Sequence, residues 1–232
     1  MDRNIKVSVV LPCYNESENL KQIINRCKEL DNSSENHYEF IFVNNGSSDN
    51  TEDLLDQNCN GMNLVKCTIN KNIGYGNGIK QGIKIAKNDV IAWTHSDMQT
   101  DVFDIDRGID FLSDKTSLVK GFRVQRKIMP KLLSVGMSVV TLIFQGTWIS
   151  EINAQPKIIS KEFAFKHLKN SPNDFSLDLF YCLHANKNKG IVKFPVLFGK
   201  REFGVSKGGE GNLKTKIKII LRSIKFIMRL KL

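Results

Sequence analysis

Two periodicities alternate along the first hundred residues. Mostly apolar, β-rich runs occur at Lys6–Leu11 (KVSVVL), Tyr38–Val43 (YEFIFV), Leu64–Thr68 and Val90–Thr94. Between them apolar positions recur at helical spacing: Leu20, Ile23, Ile24 and Cys27 within Ser17–Leu30, and Ile79, Ile83 and Ala86 within Gly76–Ala86. A shorter helix is predicted over Asn50–Asn58. Short apolar runs closed by turn-formers predict buried strands, and a 3.6-residue period predicts helices with one buried stripe. Strand and helix in alternation predict a parallel sheet with helices on both faces. Ligands of such sheets bind beyond the carboxyl ends of the strands. Three polar clusters fall there: Tyr14-Asn15-Glu16, Asn44-Asn45-Gly46-Ser47 and His95-Ser96-Asp97-Met98-Gln99.

The second half is less regular. A strand near Leu118–Gly121, a helix pair and a strand at Ile191–Val196 are predicted, followed by a Gly-rich hinge, Gly204–Gly211. Leu132–Ile149 runs 18 residues without a charge. Ser134, Ser138, Thr141, Gln145 and Thr147 dilute it, so it reads as a buried or membrane-facing helix rather than a span. The last segment, Asn212–Leu232, carries seven Lys or Arg and no acid. At 100° per residue Leu213, Ile217, Ile220, Leu221, Ile224, Ile227 and Met228 share one face, with Lys214, Lys218, Arg222, Lys225 and Arg229 beside it. That is the pattern of an interfacial helix, shared with a helix docked on its own domain.

Composition narrows the partners. The 232 residues suit one α/β domain or one and a half. The net charge is +10, and ten Lys or Arg stand against only Glu202 and Glu210 from Lys200 onward. This asymmetry points to an anionic partner: membrane surface, phosphorylated substrate or nucleic acid. The basic stripe lacks the aromatics that stack bases, which argues against nucleic acid. Five cysteines without a C-x-x-C pair argue against a disulfide framework or zinc knuckle and fit a reducing cytosol. Met1-Asp2-Arg3 leads directly into a strand, so no signal peptide is expected.

Several stretches resemble family 2 glycosyltransferases. VVLPCYNESENL resembles their first-strand signature, FVNNGSSDNT the second-strand turn, NKNIGYGNGIKQGIKIAKND the Gly-rich helix and WTHSDMQTD the metal-binding strand end. GFR (Gly121–Arg123), INAQPK (Ile152–Lys157) and REFGVSKGG (Arg201–Gly209) are similar to motifs of the polyprenyl-phosphate branch. The resemblance covers roughly residues 5–209. It implies a GT-A fold: a Rossmann-like, mostly parallel α/β sheet flanked by helices, here with a C-terminal amphipathic helix. The expected organisation is a GT-A domain over 1–210, with a nucleotide-sugar half at 1–100 and an acceptor side at 101–210, then a membrane-surface helix at 211–232.

The resemblance implies donor contacts from Pro12, Tyr14, Glu16, Asn45, Gly74, Ser96, Asp97, Arg123, Arg201 and Lys207. Tyr14 can face a nucleobase, and Arg forks fit phosphate oxygens. Asp97 with Gln99 can place two oxygens on a divalent cation bridging the donor's diphosphate. The family's Asp-x-Asp begins here with His95, a third candidate ligand whose imidazole suits Mn²⁺ better than Mg²⁺. The family's Asp-Asp-Gly-Ser turn is Asn44-Asn45-Gly46-Ser47. The resemblance places the second position at the base. Asn offers one acceptor and one donor there, matching uracil or cytosine better than guanine; two Asn can equally hold a turn. Asp97, Asp178 and Arg201 are the expected catalytic residues, Asp178 as base if the acceptor is a hydroxyl and as an orienting group if it is a lipid phosphate.

The expected protein is therefore a cytoplasmic, membrane-peripheral, inverting glycosyltransferase. It uses a nucleotide-sugar donor, UDP-sugar favoured, and a polyprenyl-phosphate or lipid-linked acceptor on an anionic membrane surface. Transfer to a hydroxyl of a surface polysaccharide is the first alternative. A catalytically silent nucleotide-binding protein is the second, motivated by Asn44, Asn45 and His95 in place of acids.

Overall fold

The computed structural model describes residues 4–59, 61, 63–124, 128–199 and 213–230. The first half alternates as its periodicities predict: β1 (Lys6–Cys13), α1 (Ser17–Ser33), β2 (His37–Asn45), α2 (Thr51–Asn58), β3 (Leu64–Ile69), α3 (Tyr75–Ile85) and β4 (Val90–Trp93). Then follow α4 (Phe103–Ile109), β5 (Leu118–Val124), α5 (Ile128–Gln145), β6 (Lys157–Ser160), α6 (Lys161–Leu168), α7 (Ser176–Lys187), β7 (Ile191–Leu197) and α8 (Leu213–Arg229). The short elements α4 and β6 carry too few residues for a period to register, and neither is predicted from the pattern.

The strands form one sheet in the order β3-β2-β1-β4-β6-β5-β7. β6 runs antiparallel to both β4 and β5, and the other pairings are parallel. Two antiparallel steps restore direction, so β5 and β7 point the same way as β1 to β4. The amino end of β6 consequently lies at the same sheet edge as the carboxyl ends of the other strands. That edge gathers the polar clusters and the INAQPK segment.

Both faces of the sheet are covered. α1 and α4 pack on one side through Leu20, Ile23, Ile24, Ile105 and Ile109. On the other, Ile79 and Ile83 of α3 join Phe163 of α6, Leu177, Phe180 and Tyr181 of α7 and Ile227 of α8. α8 thus docks on the domain, and the Gln145 amide of α5 donates to the carbonyls of Ile227 (2.7 Å) and Leu230 (3.1 Å). Docking divides the apolar face expected of this helix. Ile227 is buried, while Ile217, Leu221 and Met228 face out.

α5 is polarised in reverse. Ser138 and Thr141 are buried, with hydroxyls donating to the carbonyls of Ser134 (3.0 Å), Ile149 (2.7 Å) and Met137 (2.8 Å). Val135, Val139, Leu142, Ile143 and Phe144 are exposed. Among the described residues no helix is long and apolar enough to cross a membrane.

Candidate functional site

The β1–α1 and β2–α2 turns lock together. Asn15, at φ 55°, accepts from the Ser48 amide (2.8 Å) through Oδ1, while its own amide donates to Ser47 Oγ (3.1 Å). Glu16 N donates to Thr51 Oγ1 (3.0 Å), and Asn19 Nδ2 donates to Glu16 Oε2 (2.6 Å). Tyr14 is half-buried at the end of β1. Asn44 closes its own turn by accepting from Ser47 N at 3.1 Å. Asn45, 3% exposed, donates through Nδ2 to the Gly74 carbonyl at 3.1 Å, and its Oδ1 is buried without a partner among the described residues. Asn45 therefore ties β2 to the Gly74 turn with its donor and keeps its acceptor in reserve.

Gly74 adopts φ 135°, and a side chain there would collide with the backbone of Asn173. The space belongs to the loop between α6 and α7, whose Asn173 carbonyl accepts from Asn77 N at 2.9 Å. Gly121 serves a similar need. The GFR and INAQPK segments cross there, with the Gln155 carbonyl where a Cβ would stand and Gly121 N donating to Pro156 O at 2.9 Å.

The β4 end holds the expected metal residues. Ser96 Oγ donates to the Pro12 carbonyl (2.9 Å), joining β4 to β1. Asp97 Oδ1 accepts from Gln99 N (3.2 Å) around Met98 at φ 60°. Both side chains are buried, and Gln99 pairs with Gly199 through its main-chain carbonyl (2.8 Å) and its Nε2 (3.5 Å). Burial pushes the His95 pKa below its ordinary 6.5, against the upward pull of Asp97 and Asp178, so the ring is neutral at pH 7. Among the described residues no group of three or more His, Cys, Asp or Glu is placed to hold a metal.

Asp178, in the first turn of α7, is 2% exposed. Its Oδ1 accepts from Trp93 Nε1 (2.9 Å) and pairs with Lys157 Nζ (3.2 Å), while Oδ2 accepts from Gln155 Nε2 (3.0 Å). Trp93, Lys157 and Lys120 stand in register across β4, β6 and β5. Lys120 is fully buried and donates to the carbonyls of Ser150 and Glu151. Burial pushes its pKa down from 10.5 to about 8. Arg123, expected on a phosphate, is paired through Nε with Glu151 (2.7 Å), and its guanidinium lies 5.3 Å from the Phe198 ring centre. Arg201 and Lys207 lie outside the described residues.

The structure thus brings Pro12, Asn45, Gly74, His95, Ser96, Asp97 and Gln99 to one edge and adds residues the motifs did not single out: Tyr75, Trp93, Lys120, Gln155 and Lys157. A lysine inside an apolar strand run (LVKGF, QPKII) is the available signal for Lys120 and Lys157, because an ammonium is buried only with partners.

The comparisons agree with this geometry. Residues 8–168 match the model of glycosyl transferase family 2. Undecaprenyl-phosphate 4-deoxy-4-formamido-L-arabinose transferase of Proteus mirabilis is 36% identical over 108 residues, 44% of this chain and 32% of that protein. Its counterpart in Pectobacterium atrosepticum is 25% identical over 205 residues, 87% of this chain. The chain spans 62% of that protein's length. Glucosyl-3-phosphoglycerate synthase of Mycobacterium tuberculosis, solved with Mn²⁺, UDP and glucosyl-3-phosphoglycerate, superposes with a TM-score of 0.70 at 13% identity, covering 98% of this chain and 79% of that one. The same enzyme has been solved with Mg²⁺ and UDP. The fold is therefore GT-A, and the chain belongs to glycosyl transferase family 2.

Proposed function

We propose that this chain transfers a sugar, with inversion, from a UDP-sugar to a polyprenyl phosphate at a membrane surface. The observation that carries this reading is the placing of His95, Ser96, Asp97 and Gln99 just beyond the carboxyl end of β4, tied by Ser96 to β1 beside the locked turns of β1 and β2. Relatives named for undecaprenyl-phosphate sugar transfer and a structural neighbour holding UDP support the substrate classes.

Asp97 and Gln99 would supply hard oxygens to a divalent cation, with His95 as a third candidate ligand, and three protein ligands leave room for diphosphate oxygens and water. When bound, the cation stabilises the charge gathering on the leaving nucleoside diphosphate. The neutral His95 ring tips the preference towards Mn²⁺. Asn45 keeps an acceptor for the N3–H of uracil. The acceptor oxygen attacks the anomeric carbon as the bond to the diphosphate breaks, and the nucleotide departs with the electron pair. A phosphate nucleophile is already anionic and needs no base, which suits an Asp178 whose oxygens serve Trp93, Lys157 and Gln155. A hydroxyl acceptor would require Asp178 to release one of them.

Membrane attachment is supported by α5 and α8. α5 turns its hydroxyls inward and Val135, Val139, Leu142, Ile143 and Phe144 outward. α8 adds exposed Ile217, Leu221 and Met228, with Arg222, Lys225 and Arg229 exposed alongside. Exposed apolar side chains with cations on the same helix suit an anionic lipid surface.

The test is transfer of radiolabelled sugar from UDP-sugars to undecaprenyl phosphate in vesicles, with thermal shifts for UDP, CDP, GDP and dTDP under Mn²⁺ or Mg²⁺. Labelled lipid and the largest shift with UDP are expected. Transfer only to hydroxyl acceptors would move the assignment to polysaccharide synthesis, and GDP as tightest ligand would overturn the base reading.

A further inference from the structure

We propose that Tyr75 and Gln155 form a recognition site for a hydroxyl group of the transferred sugar, a reading that rests on the nucleotide-sugar donor proposed above. Tyr75 is the first residue of α3. Its ring stacks on Phe175 with centroids 4.9 Å apart and lies 5.7 Å from the His95 ring. The phenol therefore stands beside the strand end that carries Asp97, and Gln155 connects it to Asp178.

The hydrogen bonds fix which atoms are available. Gln155 Nε2 donates to Asp178 Oδ2 and to the Tyr75 hydroxyl, each at 3.0 Å. A carboxylate paired with Lys157 only accepts, so the amide nitrogen must be the end that faces it. Both Nε2 hydrogens are then used. The Tyr75 oxygen is an acceptor towards Gln155, and its own proton has no acceptor among the described residues. At the other end of the same amide, Gln155 Oε1 is buried without a partner among the described residues, on a side chain 1% exposed. Buried polar atoms left in this state are rare and costly. One donor without an acceptor and one acceptor without a donor thus sit on two bonded neighbours. A hydroxyl both donates and accepts, and it matches that pair.

The surroundings select a neutral ligand group over an anionic one. Burial, and after it the Asp178 and Asp97 carboxylates, push the pKa of the phenol well above 10, so it stays a donor. A phosphate oxygen placed between these carboxylates would be repelled, whereas a sugar hydroxyl would not. With the diphosphate at Asp97, the sugar is the next group along the donor, on the side of Gln155 and Asp178. Tyr75 would touch the sugar directly. Gln155 would both accept from it and position the phenol.

The experiment is isothermal calorimetry with Mn²⁺ on wild type, Tyr75→Phe, Gln155→Met and the double variant. The ligands are UDP, UDP-glucose, UDP-galactose and UDP-N-acetylglucosamine. Phe keeps the stack on Phe175, and circular dichroism checks that each variant is folded. Tyr75→Phe should leave UDP affinity within about twofold and weaken at least one UDP-sugar about fivefold. Gln155→Met should move the UDP-sugar to UDP ratio in the same direction. The double variant should fall short of the product of the singles, since the two groups share one hydroxyl. A ratio unchanged by Tyr75→Phe for all three sugars would overturn the site, as would equal losses for UDP and UDP-sugar. A wild type that binds no nucleotide would instead sink the donor assignment itself.

Discussion

Replacing Asp178 by Asn separates a catalytic base from a structural keystone. The wild-type carboxylate receives Trp93 Nε1, Lys157 Nζ and Gln155 Nε2 at 2.9–3.2 Å, and Lys157 is wholly buried. Asn keeps one acceptor oxygen, removes the charge and turns an NH₂ towards a donor. Lys157 is then a buried cation with no counter-charge, left with the Ala154 carbonyl, 3.1 Å away, and a share of one neutral Asn oxygen. Breaking a buried pair on one side costs about 3–5 kcal/mol, a large share of the 5–15 kcal/mol that holds a domain together. Urea denaturation followed by circular dichroism should show the midpoint falling by roughly 1 M or more. Adding Lys157→Met to Asp178→Leu removes both charges and should be at least about 1 kcal/mol more stable than Asp178→Asn. Asp178→Asn with wild-type stability and abolished turnover would refute the keystone argument and restore Asp178 as a base.

Asp97→Ala should abolish cation-dependent strengthening of UDP binding in calorimetry; an unchanged response to Mn²⁺ would remove Asp97 from the cation site. Lys120 has a folded-state pKa of about 8 against an ordinary 10.5, so its burial penalty is complete below pH 8 and is relieved as pH rises towards 10.5. Relative to Lys120→Met, wild type should gain about 3 kcal/mol across that window, and parallel stability–pH curves would contradict this. Arg222, Lys225 and Arg229 changed together to Glu should reduce co-sedimentation with anionic vesicles, at about 1 kcal/mol lost per cation and less in high salt. Equal sedimentation of this variant and wild type at low salt would discard α8 as a membrane contact.

Periodicity and motif order alone determined the alternating elements of the first half, within one or two residues at most boundaries, and the sheet edge that gathers the candidate residues. They did so because a buried strand needs an unbroken apolar run and a helix needs a stripe, both local properties of the chain. They also marked Asp97, Gln99 and Ser96 by their place at a strand end. Tertiary structure decided what periodicity could not reach. The four-residue β6 is antiparallel, and this brings Gln155 and Lys157 to the edge of the candidate site from a segment some sixty residues beyond Asp97 in the chain. The partners of Asp178 come from β4, β6 and the loop before it, so its commitment is invisible in FSLDLFYCL. The resemblance has Asn45 meet a base with both donor and acceptor, yet the Gly74 carbonyl and Asn72 Oδ1 take its two amide hydrogens. The apolar stripe of α8 was legible, but its division was not, because burial of Ile227 depends on how α8 meets α5 and α7. Local sequence sets which atoms a residue offers. Which of them remain for a ligand is set by partners that only folding brings within 3 Å.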